Sequence, residues 1–220
     1  MLIPRLFENS ELIVINKPPG LPFHSGEGVR NNVVDQLKKE LGVENLYPIH
    51  RLDRETSGVN AIALTHEAAS HFSVLMEESV KDYILICKGR FRKDHFFINT
   101  PIPEGKVKPG GKMYYHDAKT EFKVAKGFGD YSLVEARLHT GRRHQIRIHL
   151  AGMERPILGD DKYGDFPLNK EIKKKVKGQY LFLHARKLLI PAKQKIEVTA
   201  PWPDYFDAFL KLYNIVWKKN

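Results

Sequence analysis

Four apolar residues in a row, Leu12-Ile13-Val14-Ile15, run straight into Asn16-Lys17-Pro18-Pro19-Gly20. A run this short, stopped by two prolines and a glycine, is a buried strand and too brief for a helix. Similar stretches recur at 59–64, 81–88, 131–139 and 180–190. In the second of these, alternation puts Tyr83, Leu85 and Cys87 on one face. Gly110-Gly111 and Gly127-Phe128-Gly129 supply hairpin turns. Helices are fewer. Asn32 caps one with Val34, Leu37 and Leu41 on its inner face, and Thr65 caps another with Ala68, Phe72, Leu75 and Met76. Residues 141–151 read as a helix stopped by Gly152, with Pro156 beyond, which places Arg143 and Arg147 one turn apart on one face. Residues 203–217 read as a closing amphipathic helix burying Phe206, Phe209, Leu210 and Tyr213. Long strands with few helices predict an α+β fold around a mixed, mainly antiparallel sheet with flanking helices. With 220 residues and 42% hydrophobic content, residues 1–220 form one soluble domain.

The stretch with most chemistry is His50-Arg51-Leu52-Asp53-Arg54-Glu55-Thr56-Ser57-Gly58. It sets one carboxylate, Asp53, between two arginines, and a nearby arginine favours the charged form of a carboxylate. A turn built on Gly58 holds the segment at a fixed angle. A carboxylate kept charged and aimed meets the needs of a nucleophile or general base. The same residue types also make a surface ion pair ahead of a strand, and residue types alone leave both readings open.

The order of the residues separates them. His-Arg-Leu-Asp-x-x-Thr-Ser-Gly resembles the catalytic motif of the RluA-type pseudouridine synthases, which modify RNA. Asn16-Lys17-Pro18-Pro19-Gly20, Lys81-x-Tyr83, Thr140-Gly141-Arg142-Arg143-His144-Gln145-Ile146-Arg147-Ile148-His149, Pro156-Ile157-Leu158-Gly159-Asp160-Asp161-Lys162-Tyr163-Gly164 and Leu183-His184-Ala185 are similar to further family segments, in the family's order. The resemblance implies a long bent sheet with a central RNA-binding cleft. It implies Asp53 as the essential carboxylate, Arg147 as its ion-pair partner and Tyr83 as the active-site tyrosine. It gives Arg51 the space vacated by a flipped base, although a phosphate contact would serve the same residue. His50 and His144 are read as structural spacers. Apart from the resemblance, Leu181, Leu183 and Ile146 are of a type that could wall the base and that more often makes ordinary core. Many relatives carry a small RNA-binding domain ahead of this segment. The start of the motifs near residue 16 leaves no room for one, which resembles the shorter members acting on ribosomal or transfer RNA. Where the family has Gly-His-Pro-Ile, this chain has Glu154-Arg155-Pro156-Ile157, a change outside the catalytic residues.

Charge agrees with an RNA partner. Lys and Arg number 36 against 26 Asp and Glu, a formal net charge of +10, which suits a polyanion. Arg142, Arg143 and the run Lys173-Lys174-Lys175 are the basic residues expected on RNA, the lysine run being equally a solvated surface. A single cysteine, Cys87, excludes an internal disulfide and a cysteine-pair zinc site. No His-Glu-x-x-His pattern occurs, so no metal is expected, and uridine isomerisation needs no cofactor. No apolar segment is long enough to span a bilayer, and the start is not a signal peptide. The expected setting is a cytoplasmic monomer. Two other classes compete: a non-catalytic RNA-binding protein that keeps the fold, and a glycosidase-like hydrolase. Binding alone would not require Asp53, Tyr83 and Arg147 together. A hydrolase commonly needs a second carboxylate across the cleft, and only Glu55 stands near.

Overall fold

The computed structural model describes residues 2–24, 31–105 and 112–217. The predicted turn at Gly110-Gly111 lies outside them. The chain begins with β1 (Arg5–Glu8) and β2 (Leu12–Lys17), then α1 (Val33–Leu41), β3 (Tyr47–Pro48), β4 (Ser57–Ala63) and α2 (His66–Glu78). It continues through β5 (Val80–Lys88), β6 (His95–Ile98), a small hairpin of β7 (Ile102–Pro103) and β8 (Tyr115–His116), β9 (Thr120–Phe128) and β10 (Tyr131–Leu138). It ends with α3 (Gln145–Gly152), α4 (Phe166–Lys175), β11 (Leu183–Ile190), β12 (Ile196–Thr199) and α5 (Asp204–Lys211).

Ten strands form one sheet in the order β1-β2-β4-β11-β5-β10-β9-β6, with β3 beside β4 and β12 beside β11. Among the described residues only the β4–β11 pair is parallel, so the α+β, mainly antiparallel expectation holds. The two predicted caps form as read. The Asn32 side chain accepts the Asp35 N–H at 2.9 Å, and the Thr65 hydroxyl accepts that of Ala68 at 3.1 Å. β2 and β4 are buried on both faces, as is β5 over Ile84, Leu85, Ile86 and Cys87, because helices and loops cover the middle of the sheet.

Four expectations need correction. The helix read over 141–151 starts only at Gln145. His144 before it takes a left-handed φ of 57°, which breaks the helical path. Arg143 therefore lies in the preceding turn, exposed, and does not share a helix face with the buried Arg147. The closing helix stops at Lys211 and passes into turns with Asn214 at φ 55°, although Phe206, Phe209 and Leu210 are buried as read. The last long strand starts at Leu183, because the backbone of Phe182 instead bridges Leu158 and Ile86. In the β9–β10 hairpin, Gly127 and Phe128 belong to the strand and the bend falls on Gly129, at φ 45°.

One glycine fixes the register at the centre. A Cβ on Gly58 would lie 2.2 Å from the Ala185 carbonyl oxygen, and its φ is 111°. Only glycine lets β4 approach β11 this closely, and that contact seats the segment carrying Asp53 over the middle of the sheet.

Candidate active site

The loop of Asp53 is tied down by a lysine. Lys17 is fully buried, and its ammonium donates to the carbonyls of Pro18 at 2.9 Å, Leu21 at 2.9 Å and Arg54 at 2.8 Å. The Gly20 N–H adds a bond to the Arg54 carbonyl at 2.9 Å. The Asn-Lys-Pro-Pro-Gly segment is thus the brace of the Asp53 loop. Burial pushes the Lys17 ammonium down to about 7, against the opposing pull of Glu55 and Asp53. His50 is a spacer, as read: its Nε2 accepts the Ala61 N–H at 2.9 Å. Burial, aided by the Lys81 charge, pushes the ring down to about 3 and keeps it neutral.

Arg147 is the centre of the electrostatics. It rises from α3, 2% exposed. Its Nη1 donates to Asp53 Oδ2 at 3.2 Å, while Nε and Nη2 grip Asp160 at 2.8 Å each. Nη2 also reaches Asp161 at 3.1 Å. The Asp160 side chain is fully buried, and its Oδ1 accepts the N–H groups of Lys162 and Tyr163 at 2.9 Å. Burial opposes the charge of both partners. Their mutual hydrogen bonds outweigh it, holding Arg147 above the usual arginine range and Asp160 below the usual carboxylate range. Asp160 therefore aims the guanidinium, and the free edge of the fork meets Asp53, whose side chain is 24% exposed. The Tyr163 ring sits 5.4 Å from the guanidinium carbon. Its hydroxyl lies 3.0 Å from His144 Nδ1, and His144 Nε2 is 3.6 Å from Asp53 Oδ1. Burial lowers the His144 imidazole, with Asp53 pulling the other way.

Asp53 stands where two cavities meet, one of about 780 Å³ and one of about 570 Å³. Both are lined by Arg51, Asp53, Arg143, His144 and Arg147. The larger also holds Tyr83 from β5, Lys81, Arg142, Ile146 and Leu183. Burial and the Asp53 charge raise the Tyr83 phenol above its ordinary range, so the proton stays on the oxygen. Arg51, Arg142 and Arg143 are exposed. Asp53, Tyr83, Arg147, Arg51, Arg142 and Arg143 are thus gathered around one trough. Lys173, Lys174 and Lys175 are not: they form the exposed last turn of α4 and line neither cavity. Of the three residues read as an apolar wall, Leu183 and Ile146 line the larger cavity and Leu181 does not. Among the described residues no cluster of three or more His, Cys, Asp or Glu is placed to hold a metal ion. No helix there is long and apolar enough to cross a membrane.

A mixed, mainly antiparallel sheet carrying a carboxylate held by a buried arginine, with further arginines along the adjoining cavities, defines the class. The human protein RNA Pseudouridylate Synthase Domain Containing 4 has the same architecture, with a TM-score of 0.79 and 29% identity over 97% of this chain and 94% of that one. Residues 11–152 match the RNA pseudouridylate synthase family, and the chain belongs to that family of RNA-modifying enzymes. It is similar to tRNA pseudouridine synthase C of Pasteurella multocida, at 31% identity over 95% of this chain and 97% of the relative. It is also similar to ribosomal large subunit pseudouridine synthase C of Buchnera aphidicola, at 31% identity over 93% of this chain and 69% of the relative. The chain spans 58% to 69% of the length of the ribosomal relatives it matches.

Proposed function

We propose that the protein isomerises specific uridines to pseudouridine in structured RNA, either ribosomal large-subunit RNA or transfer RNA. On this reading it works in the cytoplasm as a monomer, without metal or cofactor. The observation that carries the proposal is the 3.2 Å contact from Arg147 to Asp53 at the junction of two basic-rimmed cavities. The target nucleotide swings out of its stack at a cost of roughly a few kcal/mol. Asp53 acts on the ribose side of the glycosidic bond, either attacking the sugar or promoting elimination to a glycal. The base turns within the cavity and is rejoined through carbon 5. Arg147 holds the carboxylate in place through its 3.2 Å contact. Arg142 and Arg143 meet phosphates, and Arg51 fills the gap left in the RNA.

The test is release of label from carbon-5-tritiated uridine in ribosomal and transfer RNA, followed by chemical tagging of the product to locate it. Isomerisation leaves mass unchanged, so the label and the tag are both needed. Absence of release from both RNAs would overturn the reading.

Tyr83 is proposed to stack on the base and, with its proton retained, to donate a hydrogen bond during turnover. Tyr83→Phe should bind RNA as wild type does, while turnover falls by about 100-fold or more. Filter binding and tritium release measured side by side decide it, and full turnover would reduce the residue to a stacking surface. The Lys173-Lys174-Lys175 turn is proposed to touch phosphates outside the trough. Replacing all three by alanine should reduce the slope of log affinity against log salt by about 2 to 3. An unchanged slope would remove them from the interface.

A further inference from the structure

A third cavity, of about 240 Å³, adjoins the trough, and Asp161 is a wall of both. Its floor includes Ile172, 2% exposed, and the half-buried Tyr180. Its rim carries Phe166, 54% exposed at the start of α4, together with the exposed Lys170 and Lys173. We propose that this cavity is a second RNA subsite, which takes one unstacked base against Phe166 and Tyr180 with the neighbouring phosphate on Lys170 and Lys173. The inference rests on the RNA reading above and adds a place where the enzyme grips a nucleotide other than its target.

Size, charge and continuity select that occupant. The volume falls below the roughly 300–1,000 Å³ of sites for drug-sized ligands, so it suits a single flat ring. Aromatic surface beside ammonium groups is the pairing that holds single-stranded nucleic acid, stacking the base and neutralising the phosphate. No ion pair occupies Lys170 or Lys173 among the described residues, and the Lys173 ammonium only donates to the Gln179 side chain at 3.3 Å. The negative charge at the shared wall is met already, because Asp161 is held by Arg147 at 3.1 Å.

The cavity is also rigidly joined to the catalytic centre. Asn169 of α4 accepts the Gly159 N–H at 2.7 Å and donates to the Asp160 carbonyl at 2.8 Å. Gly159 has φ 75°, and a Cβ there would lie 1.8 Å from the Tyr180 carbonyl oxygen. The segment that presents Asp160 to Arg147 is therefore the inner wall of this subsite.

The test compares steady-state tritium release by wild type, Phe166→Ala, Phe166→Tyr and the Lys170→Ala/Lys173→Ala double variant, on the RNA that wild type modifies. Loss of one stacked base should raise KM about tenfold in Phe166→Ala, with kcat changed by less than about twofold. Phe166→Tyr should restore KM, and the double lysine variant should raise KM and weaken the salt dependence of binding. An unchanged KM in Phe166→Ala would overturn the subsite while leaving the enzyme reading intact. Equal damage in Phe166→Ala and Phe166→Tyr, with a lowered melting temperature in both, would mark a structural role and overturn it too. No release by wild type from any RNA would overturn both.

Discussion

Asp53→Asn should release tritium at less than about one ten-thousandth of the wild-type rate, in line with removal of other essential catalytic groups. Asparagine keeps the shape of the side chain and loses its charge, so it neither attacks a sugar carbon nor takes a proton. The fold should not notice. The side chain is 24% exposed, and Arg147 retains its two bonds to Asp160 and its bond to Asp161. No charge is stranded, so the change in unfolding free energy should stay within about 1 kcal/mol. RNA affinity should also persist, because the arginines along the trough are untouched. The comparison needs three readings on one preparation: tritium release, denaturant midpoint and filter binding. Turnover above about one hundredth of wild type would remove Asp53 from the chemistry, whatever its position.

Some of this site was legible in the residues before any geometry, and the reason differs from part to part. Capped helices and strands announced themselves because local chemistry sets them: Asn32 and Thr65 accept the N–H groups three residues on. Arg147 and Asp53 were legible as partners only through the family resemblance, since 94 residues separate them in sequence. Asp160 lies within a family-like segment, but the sequence assigns it no role. Gly-Asp-Asp reads as a solvated turn, and nothing local reveals that the first carboxylate is buried while the second is half exposed. Lys17 hid in the same way, since a lysine before Pro-Pro-Gly looks like a loop residue. Its three carbonyl partners come together only when β2 pairs with β4. The start of α3 is not legible in the sequence, because a left-handed His144 leaves no mark in hydrophobic periodicity. Backbone strain of this kind, at a residue 3.6 Å from the candidate carboxylate, is commonest at functional sites.

Arg147→Ala should be the costliest single change in the protein. It removes the partner of a fully buried carboxylate, and stranding such a charge costs about 3–5 kcal/mol. Arg147→Lys should rescue little, because one ammonium cannot reproduce a fork that meets Asp53, Asp160 and Asp161 at once. Turnover should fall with Asp53 unclamped, and should be measured at a temperature where circular dichroism shows the variant folded. The pH dependence separates a stranded charge from lost packing. In wild type, Asp160 lies below the usual carboxylate range. Its contribution to stability is therefore complete above that range and is lost as pH falls through its folded value. In Arg147→Ala, burial acts on Asp160 with only two backbone N–H groups opposing it, so its pKa should rise above the usual range. The cost of the stranded charge is then largest at neutral pH and is relieved as acid protonates Asp160. The stability difference between wild type and Arg147→Ala should accordingly shrink steadily as pH is lowered from 7. Urea unfolding of both proteins across that range provides the measurement. A difference that stays constant with pH would mean that lost packing around the arginine stem, and not an uncompensated Asp160, carries the effect.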